Sequence, residues 1–146
     1  MTEETDKSQW GPGPWQTEPD FLEWEDAETG LPCQIRRNTS GALCGYVGVS
    51  SSYSTYQQSY EELCHVGCHG GLTFSGWIDG ADYWWFGFDC AHSCDYCPAD
   101  AQWKRVTLLS GSRESYKDVE YVKEQVTGLA KQLFNPLEAL ASVHEP

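Results

Sequence analysis

The most constraining feature of the sequence is a six-residue run with one glycine and otherwise only aromatic residues, Tyr83-Trp84-Trp85-Phe86-Gly87-Phe88. Successive side chains of a strand point to opposite faces, so this run is typical of a central strand buried on both sides. Rings of this size need a substantial core, which 146 residues that are 40% hydrophobic can supply. We therefore predict one domain built around a sheet.

Further strands are indicated by short apolar runs bounded by polar or glycine-containing turns. Gly70-Gly71 lies between two such runs and favours a tight hairpin, because that kind of turn requires positive φ angles. The predicted strands are residues 31–37, 42–49, 62–69, 72–78 and 104–109.

One helix is predicted at residues 115–134, where apolar residues recur at steps of three and four. The apolar stripe consists of Val119, Val122, Val126, Leu129 and Leu133. Ser115 and Asp118 have the spacing of a capping box, and Asn135-Pro136 ends the pattern. Strands followed by one helix predict an α+β fold, in which a mainly antiparallel sheet is covered by one C-terminal amphipathic helix.

The N-terminal segment has a different character from the rest of the chain. Nine of the 22 acidic residues fall in the first thirty positions, and Gly11-Pro12-Gly13-Pro14 opposes regular structure. We predict a flexible acidic arm at residues 1–20 and a single domain at residues 21–146. Trp10 and Trp15 either pack back on the domain, which we favour, or meet a partner.

The formal net charge of -13 restricts the partners of this chain. Nucleic-acid binding needs a basic surface, and none is visible, so we expect no direct nucleic-acid binding. No stretch is apolar enough to span a bilayer, and the first residues do not form a secretory signal. We expect a soluble protein of the cytoplasm that does not bind membranes.

Seven cysteines occur, and an odd number in a reducing compartment argues against a disulfide framework. Zinc requires four tetrahedrally placed ligands, which two short segments can each supply in pairs. Cys64 and Cys68 form one such pair, and Cys94 and Cys97 form the other, so these four are the candidate zinc ligands. The alternative is that they are incidental or core thiols.

A second cluster contains His69, Asp89, Cys90, His92 and Asp95. Of these we predict His69, His92 and Asp95 to be the catalytic residues. Histidines beside a carboxylate can bind a catalytic metal or transfer protons, and the sequence does not choose between these. His69 precedes the Gly70-Gly71 turn, whereas the other two follow the central strand. The alternative is that these side chains only satisfy loop backbone groups.

Two motifs, His69-Gly70-Gly71-Leu72-Thr73-Phe74 and the stretch Trp84-Trp85-Phe86-Gly87-Phe88-Asp89-Cys90-Ala91-His92, resemble a family of small uncharacterised proteins of bacteriophages and prophages, of actinobacterial type. The resemblance covers most of residues 30–134 and implies an origin, not a reaction. It implies a shared site of His69, Cys90, His92 and Asp95. The family has glycine and serine where Cys94 and Cys97 stand, which implies that the four candidate zinc ligands are an added structural site.

Two functions are compatible with these features. The first is a small phage accessory protein of the host cytoplasm, binding zinc and acting on a host protein or small ligand. The second is a metal-dependent hydrolase or transferase that uses His69, His92 and Asp95. An enzyme predicts that these three side chains converge, whereas a binding protein predicts that they lie apart or are buried and satisfied.

Overall fold

The computed structural model describes residues 5–100 and 115–139. They form a five-stranded antiparallel sheet with strand order β1-β2-β3-β5-β4, packed against helix α1. The elements are β1 Phe21–Glu25, β2 Pro32–Arg37, β3 Leu43–Val49, β4 Phe74–Trp77, β5 Trp84–Asp89 and α1 Val119–Leu133. This arrangement confirms the predicted α+β class and the antiparallel sheet.

The aromatic run forms β5, which pairs with β3 on one side and β4 on the other. Trp85, Phe86 and Phe88 are buried, as predicted for a central strand. A side chain at Gly87 would collide with the ring of Tyr46 on β3, so glycine lets this ring lie flat across the sheet. The strand therefore lies inside the sheet, and the following loop begins after its last residue, Asp89.

Helix α1 starts later than the sequence predicted, because Asp118 and not Ser115 is its N-cap. The Asp118 carboxylate accepts a hydrogen bond from the backbone N–H of Tyr121, which is the usual capping contact. The buried helix face packs on β2 and β3 and consists of Val122, Val126, Leu129, Ala130 and Leu133. Within residues 5–100 and 115–139, no helix combines the length and hydropathy required to cross a bilayer.

The predicted hairpin around Gly70-Gly71 is wrong in its first half. Residues 62–69 form no strand; a 3-10 helix at Tyr60–Leu63 is followed by turns, and only β4 forms after the glycines. Leu63 and Val66 are both buried and three residues apart, a spacing that suits helical turns and not a strand. Strand β1 was not predicted, and the predicted strand at 104–109 lies outside the described residues.

Residues 5–20 pack against the domain through specific contacts. Trp15 is only 5% exposed, which agrees with the favoured interpretation that this tryptophan packs back. The guanidinium of Arg37 is fully buried and donates a 2.6 Å hydrogen bond to Asp20. The mobility of residues 1–20 stays a prediction, but their described part is joined to the sheet by a buried ion pair.

Candidate metal centre

The three predicted catalytic residues come from two loops at one end of the sheet. His92 and Asp95 lie just beyond the end of β5, in a turn closed by a 2.9 Å hydrogen bond from the Asp95 N–H to the His92 carbonyl. His69 lies in a turn closed by the Gly71 N–H and the Cys68 carbonyl. The structure therefore brings together side chains that are 26 residues apart in sequence.

Asp95 is the centre of this group. Its Oδ2 lies 2.9 Å from Nε2 of His69 and 3.3 Å from Nδ1 of His92. One potential ligand atom from each of the three residues lies within 4.8 Å of the others. Among the described residues, this is the one group of three or more histidine, cysteine or acidic side chains with the spacing to hold a metal ion.

Each member of the group is also held from behind by another polar side chain. The hydroxyl of Tyr121 lies 2.7 Å from Nδ1 of His69. The Lys117 ammonium lies 3.0 Å from the second carboxylate oxygen of Asp95, Oδ1. Nε2 of His92 faces Oδ1 of Asp89 at 3.7 Å. In each candidate ligand, the polar atom that faces away from the group thus has a partner, and this partner helps to fix the orientation of the side chain.

The hydrogen bonds to Asp95 keep its carboxyl group ionised. Burial raises the pKa of this fully buried group, but hydrogen bonds from His69, from the His92 N–H and from Lys117 outweigh burial and lower the pKa to about 2. Because ionised Asp95 can only accept, the Nε2 atom of His69 that faces it carries a proton, and the Tyr121 hydroxyl lies against the other ring nitrogen.

Solvent reaches the group from the side of His92. The side chain of His92 is 37% exposed, whereas those of His69 and Asp95 are 16% and 0% exposed. The backbone of Gly70 lies directly against the His92 ring, since a Cβ atom there would lie 2.2 Å from the ring's Cε1. Gly70, with a φ of 68°, therefore allows the turn of His69 to approach His92.

The four cysteines predicted to bind zinc form no such group. All seven cysteines lie in the described residues, and all are thiols. Cys64 and Cys94 are exposed, whereas the buried Cys97 donates from Sγ to the carbonyls of Cys90 and Asp95 at 3.8 Å. No three of the seven have the spacing to share a metal ion. Zinc binding by Cys64, Cys68, Cys94 and Cys97 stays a prediction that this geometry does not support.

Lys117 and Tyr121, which contact Asp95 and His69, were not assigned to the site from the sequence. Lys117 immediately precedes the N-cap of α1, and Tyr121 lies in its first turn. No spacing rule connects these positions with His69, because only the packing of α1 on the sheet brings them there. The sequence therefore predicted a lysine and a tyrosine near the start of a helix, but it did not predict which side chains they contact.

Comparisons of the chain with protein-family models, with curated proteins and with solved structures find no significant match. The resemblance to phage and prophage proteins stays a prediction. What the group can do chemically is bind a cation through two imidazoles and one carboxylate, with one side open to solvent.

Proposed function

We propose that this chain is a zinc-dependent hydrolase whose metal centre is formed by His69, His92 and Asp95. The observation that carries the proposal is the convergence of one ligand atom from each residue within 4.8 Å. Two imidazoles and a carboxylate suit zinc and other divalent transition metals better than calcium or magnesium, which prefer oxygen ligands alone.

The spacing of the donor atoms supports this assignment. Zinc bonds of 2.0–2.2 Å in tetrahedral geometry place neighbouring ligand atoms about 3.3 Å apart. Asp95 Oδ2 lies 2.9 Å from His69 Nε2 and 3.3 Å from His92 Nδ1, which is close to this spacing, and the two imidazole ligand atoms lie within 4.8 Å of each other. Binding would replace the proton shared by His69 and Asp95, which is the usual exchange of protons for a metal ion.

The partners of the ligands support the proposal further. Lys117 holds one oxygen of Asp95 and leaves Oδ2 as the binding atom. Tyr121 and Asp89 lie behind the two rings, where each can accept the hydrogen bond that a metal-bound imidazole donates from its other nitrogen. Such outer contacts typically change metal affinity by about 10–100-fold when they are lost.

An enzyme is favoured over a purely structural zinc site because, in the part of the chain that the structure describes, three protein ligands converge and not four. Structural zinc sites generally have four, whereas catalytic sites keep a position for water or substrate. The 37% exposure of the His92 side chain supports an open position on the solvent side. A bound zinc ion supplies Lewis acidity and lowers the pKa of a bound water to about 7.

The test is a zinc titration of the purified, chelator-treated chain against a competing chromogenic chelator, followed by hydrolysis assays on ester, phosphoester and amide model substrates. We expect one zinc ion per chain, and we expect zinc-dependent turnover of one substrate class. His92→Ala should abolish both while preserving the fold, because His92 is on the exposed side. Unchanged zinc binding by His92→Ala would refute the assigned ligands.

Cys64→Ser is the matched control, because Cys64 is also exposed and belongs to the alternative ligand set. The proposed centre predicts that this variant binds zinc as the unchanged chain does. Loss of zinc in Cys64→Ser but not in His92→Ala would move the site to the cysteines.

A second candidate function is that of an accessory protein that binds a host protein. Trp77 and Tyr83 favour it, since their side chains are 41% and 40% exposed near the end of the sheet opposite Asp89. Large exposed aromatic residues are enriched at protein interfaces. Zinc binding without turnover of any substrate class would favour this function over hydrolysis.

A further inference from the structure

The N-terminal segment contacts both pieces of chain that supply the charged pair of the metal centre. Asp95 and Lys117 lie on neighbouring stretches joined by a parallel bridge between Asp95 and Ser115. Its hydrogen bonds run from the Ser115 N–H to the Cys94 carbonyl at 3.0 Å and from the Tyr96 N–H to the Ser115 carbonyl at 2.8 Å. A single bridge of this kind is a short connection, so further contacts must fix the spacing of the two stretches.

Trp15 supplies such a contact. Its ring stacks on Tyr96, with ring centroids 5.5 Å apart, and meets the edge of Tyr116 at 5.0 Å. These two tyrosines are the chain neighbours of Asp95 and Lys117. Trp15 therefore touches the stretches on both sides of the bridge, next to the residues that form the 3.0 Å ion pair.

Trp15 is itself held firmly in place. It lies in a 3-10 helix at Pro14–Gln16, and its indole N–H donates a 3.0 Å hydrogen bond to the Gly11 carbonyl. A side chain at Gly13 would come within 2.3 Å of the indole, so glycine is required where the segment passes the ring.

Glu18 ties the same segment to the start of α1. One of its carboxylate oxygens accepts a 2.8 Å hydrogen bond from the Val119 N–H, and the other accepts from the Tyr116 hydroxyl. An acidic group at a helix N-terminus stabilises the first turn of the helix. The first turn of α1 contains Tyr121. The contacts of Trp15 and Glu18 thus surround Lys117 on both sides along the chain.

We propose that Trp15 is a positioning residue for the metal centre, and that residues 5–20 set the distance between Asp95 and Lys117. The inference rests on the proposed zinc site, since it assigns Trp15 a part in the affinity of that site. Losing the ring frees Tyr96 and Tyr116 to shift. The distance between the Asp95 carboxylate and the Lys117 ammonium is then no longer fixed, and the carboxylate shifts relative to the two imidazoles.

The experiment compares Trp15→Leu, Trp15→Phe and Val49→Ala. Val49 is a buried residue that pairs with Trp84, at the end of the sheet remote from Asp89, so its truncation destabilises the fold without touching the site. We expect Trp15→Leu to weaken zinc binding about 10–100-fold, as losing an outer contact does. Trp15→Phe should restore most of the affinity, and Val49→Ala should bind zinc as the unchanged chain does.

The visible spectrum of the cobalt-substituted chain gives a second readout, because its bands report ligand geometry and not stability. A changed spectrum in Trp15→Leu but not in Val49→Ala supports positioning. Equal zinc affinity in Trp15→Leu and the unchanged chain, or an equal loss in Val49→Ala, would overturn it. If Trp15→Leu does not fold, Glu18→Gln takes its place, since it keeps the side-chain shape and removes the charge.

If the unchanged chain binds no zinc, the proposed function fails, and nuclear magnetic resonance of the histidine ring nitrogens tests the inference alone. The Nε2 atom of His69 carries a proton because it faces the ionised carboxylate of Asp95 at 2.9 Å. Displacing Asp95 in Trp15→Leu should move part of the population to the Nδ1 tautomer. An unaltered tautomer ratio in a folded Trp15→Leu would show that Trp15 does not position the carboxylate.

Discussion

Single alanine substitutions at Gly70 and Gly71 separate a role of His92 in metal binding from a role of the turn in folding. Both glycines have left-handed backbone conformations, with φ of 68° and 81°. A Cβ atom at Gly70 would lie 2.2 Å from Cε1 of His92, whereas one at Gly71 would meet nothing within 4 Å. The two variants therefore share the conformational change and differ in the collision.

The expected sizes follow from this difference. A residue with a Cβ atom in the left-handed region costs about 1–2 kcal/mol, so both variants should lose a similar amount of unfolding free energy. Only Gly70→Ala must also displace the ring of His92, which can turn into solvent because it is 37% exposed. Losing one of three ligands should weaken zinc binding by at least the roughly 100-fold that loss of an outer partner can cause.

The assay combines urea unfolding of the metal-free variants with zinc titration against a competing chelator. We expect nearly equal unfolding midpoints, wild-type zinc affinity for Gly71→Ala and a large loss of affinity for Gly70→Ala. Equal zinc affinity of the two variants would refute the assignment of His92 as a ligand. A much lower unfolding midpoint for Gly70→Ala would show instead that the collision disrupts the turn.

Three further predictions concern stability. Because the folded pKa of Asp95 is about 2 and its ordinary value is 3.8, its stabilising effect, about 2 kcal/mol, is complete above about pH 4. This contribution is lost as the pH falls through 2. In urea unfolding, the stability difference between the unchanged chain and Asp95→Asn should therefore shrink from pH 7 to pH 2. A difference that stays constant would contradict the lowered pKa. Trp15→Ala should lower the unfolding free energy by about 3–5 kcal/mol, as truncation of a buried aromatic residue does, and a thermal midpoint like that of the unchanged chain would show that the segment contributes little. Asp118→Ala should cost about 1 kcal/mol through the lost helix cap, measured by far-ultraviolet circular dichroism during unfolding. Glu124→Ala, on the exposed face of α1, is the control and should have little effect.

The fold was predictable where one periodicity dominates a long segment. The aromatic run of β5 and the apolar stripe of α1 both predicted the correct element. Strand β1 was missed because its alternation spans only five residues within an acid-rich segment. Leu22 and Trp24 pack against the core, while Glu23 and Glu25 are exposed, and so short a pattern is easily hidden among charges.

The hairpin error has a local cause. The Gly-Gly turn exists, with positive φ at both residues, but the chain before it is drawn into helical turns. Ser59 caps the 3-10 helix by accepting a hydrogen bond from the Glu61 N–H, which favours helical geometry at its start. A glycine pair therefore located the turn, but the conformation of the chain on each side depended on capping and burial.

The convergence of His69, His92 and Asp95 was predictable in outline, because loops at strand ends release side chains from packing. The ligand set was harder to choose, since the spacing of cysteines in the sequence identifies potential ligands but does not show where their side chains point. Cys97 points into the core and donates to two carbonyls, whereas Cys64 and Cys94 are exposed. The tertiary structure shows that the two imidazoles lie against one carboxylate, and among the described residues no three thiols have the spacing to share a metal ion.

The ion pair of Asp95 and Lys117 also bears on the choice between a structural and a chemical role. A buried ion pair stabilises a fold little in comparison with apolar residues of similar volume, because both charges lose their water. Hydrogen bonds from His69 and from the His92 N–H offset the burial of Asp95, but they give no reason to direct a second imidazole, 37% exposed, at the same carboxylate. The proposed cation site does give one, since Lys117 restrains Asp95 while His92 leaves the open side to solvent.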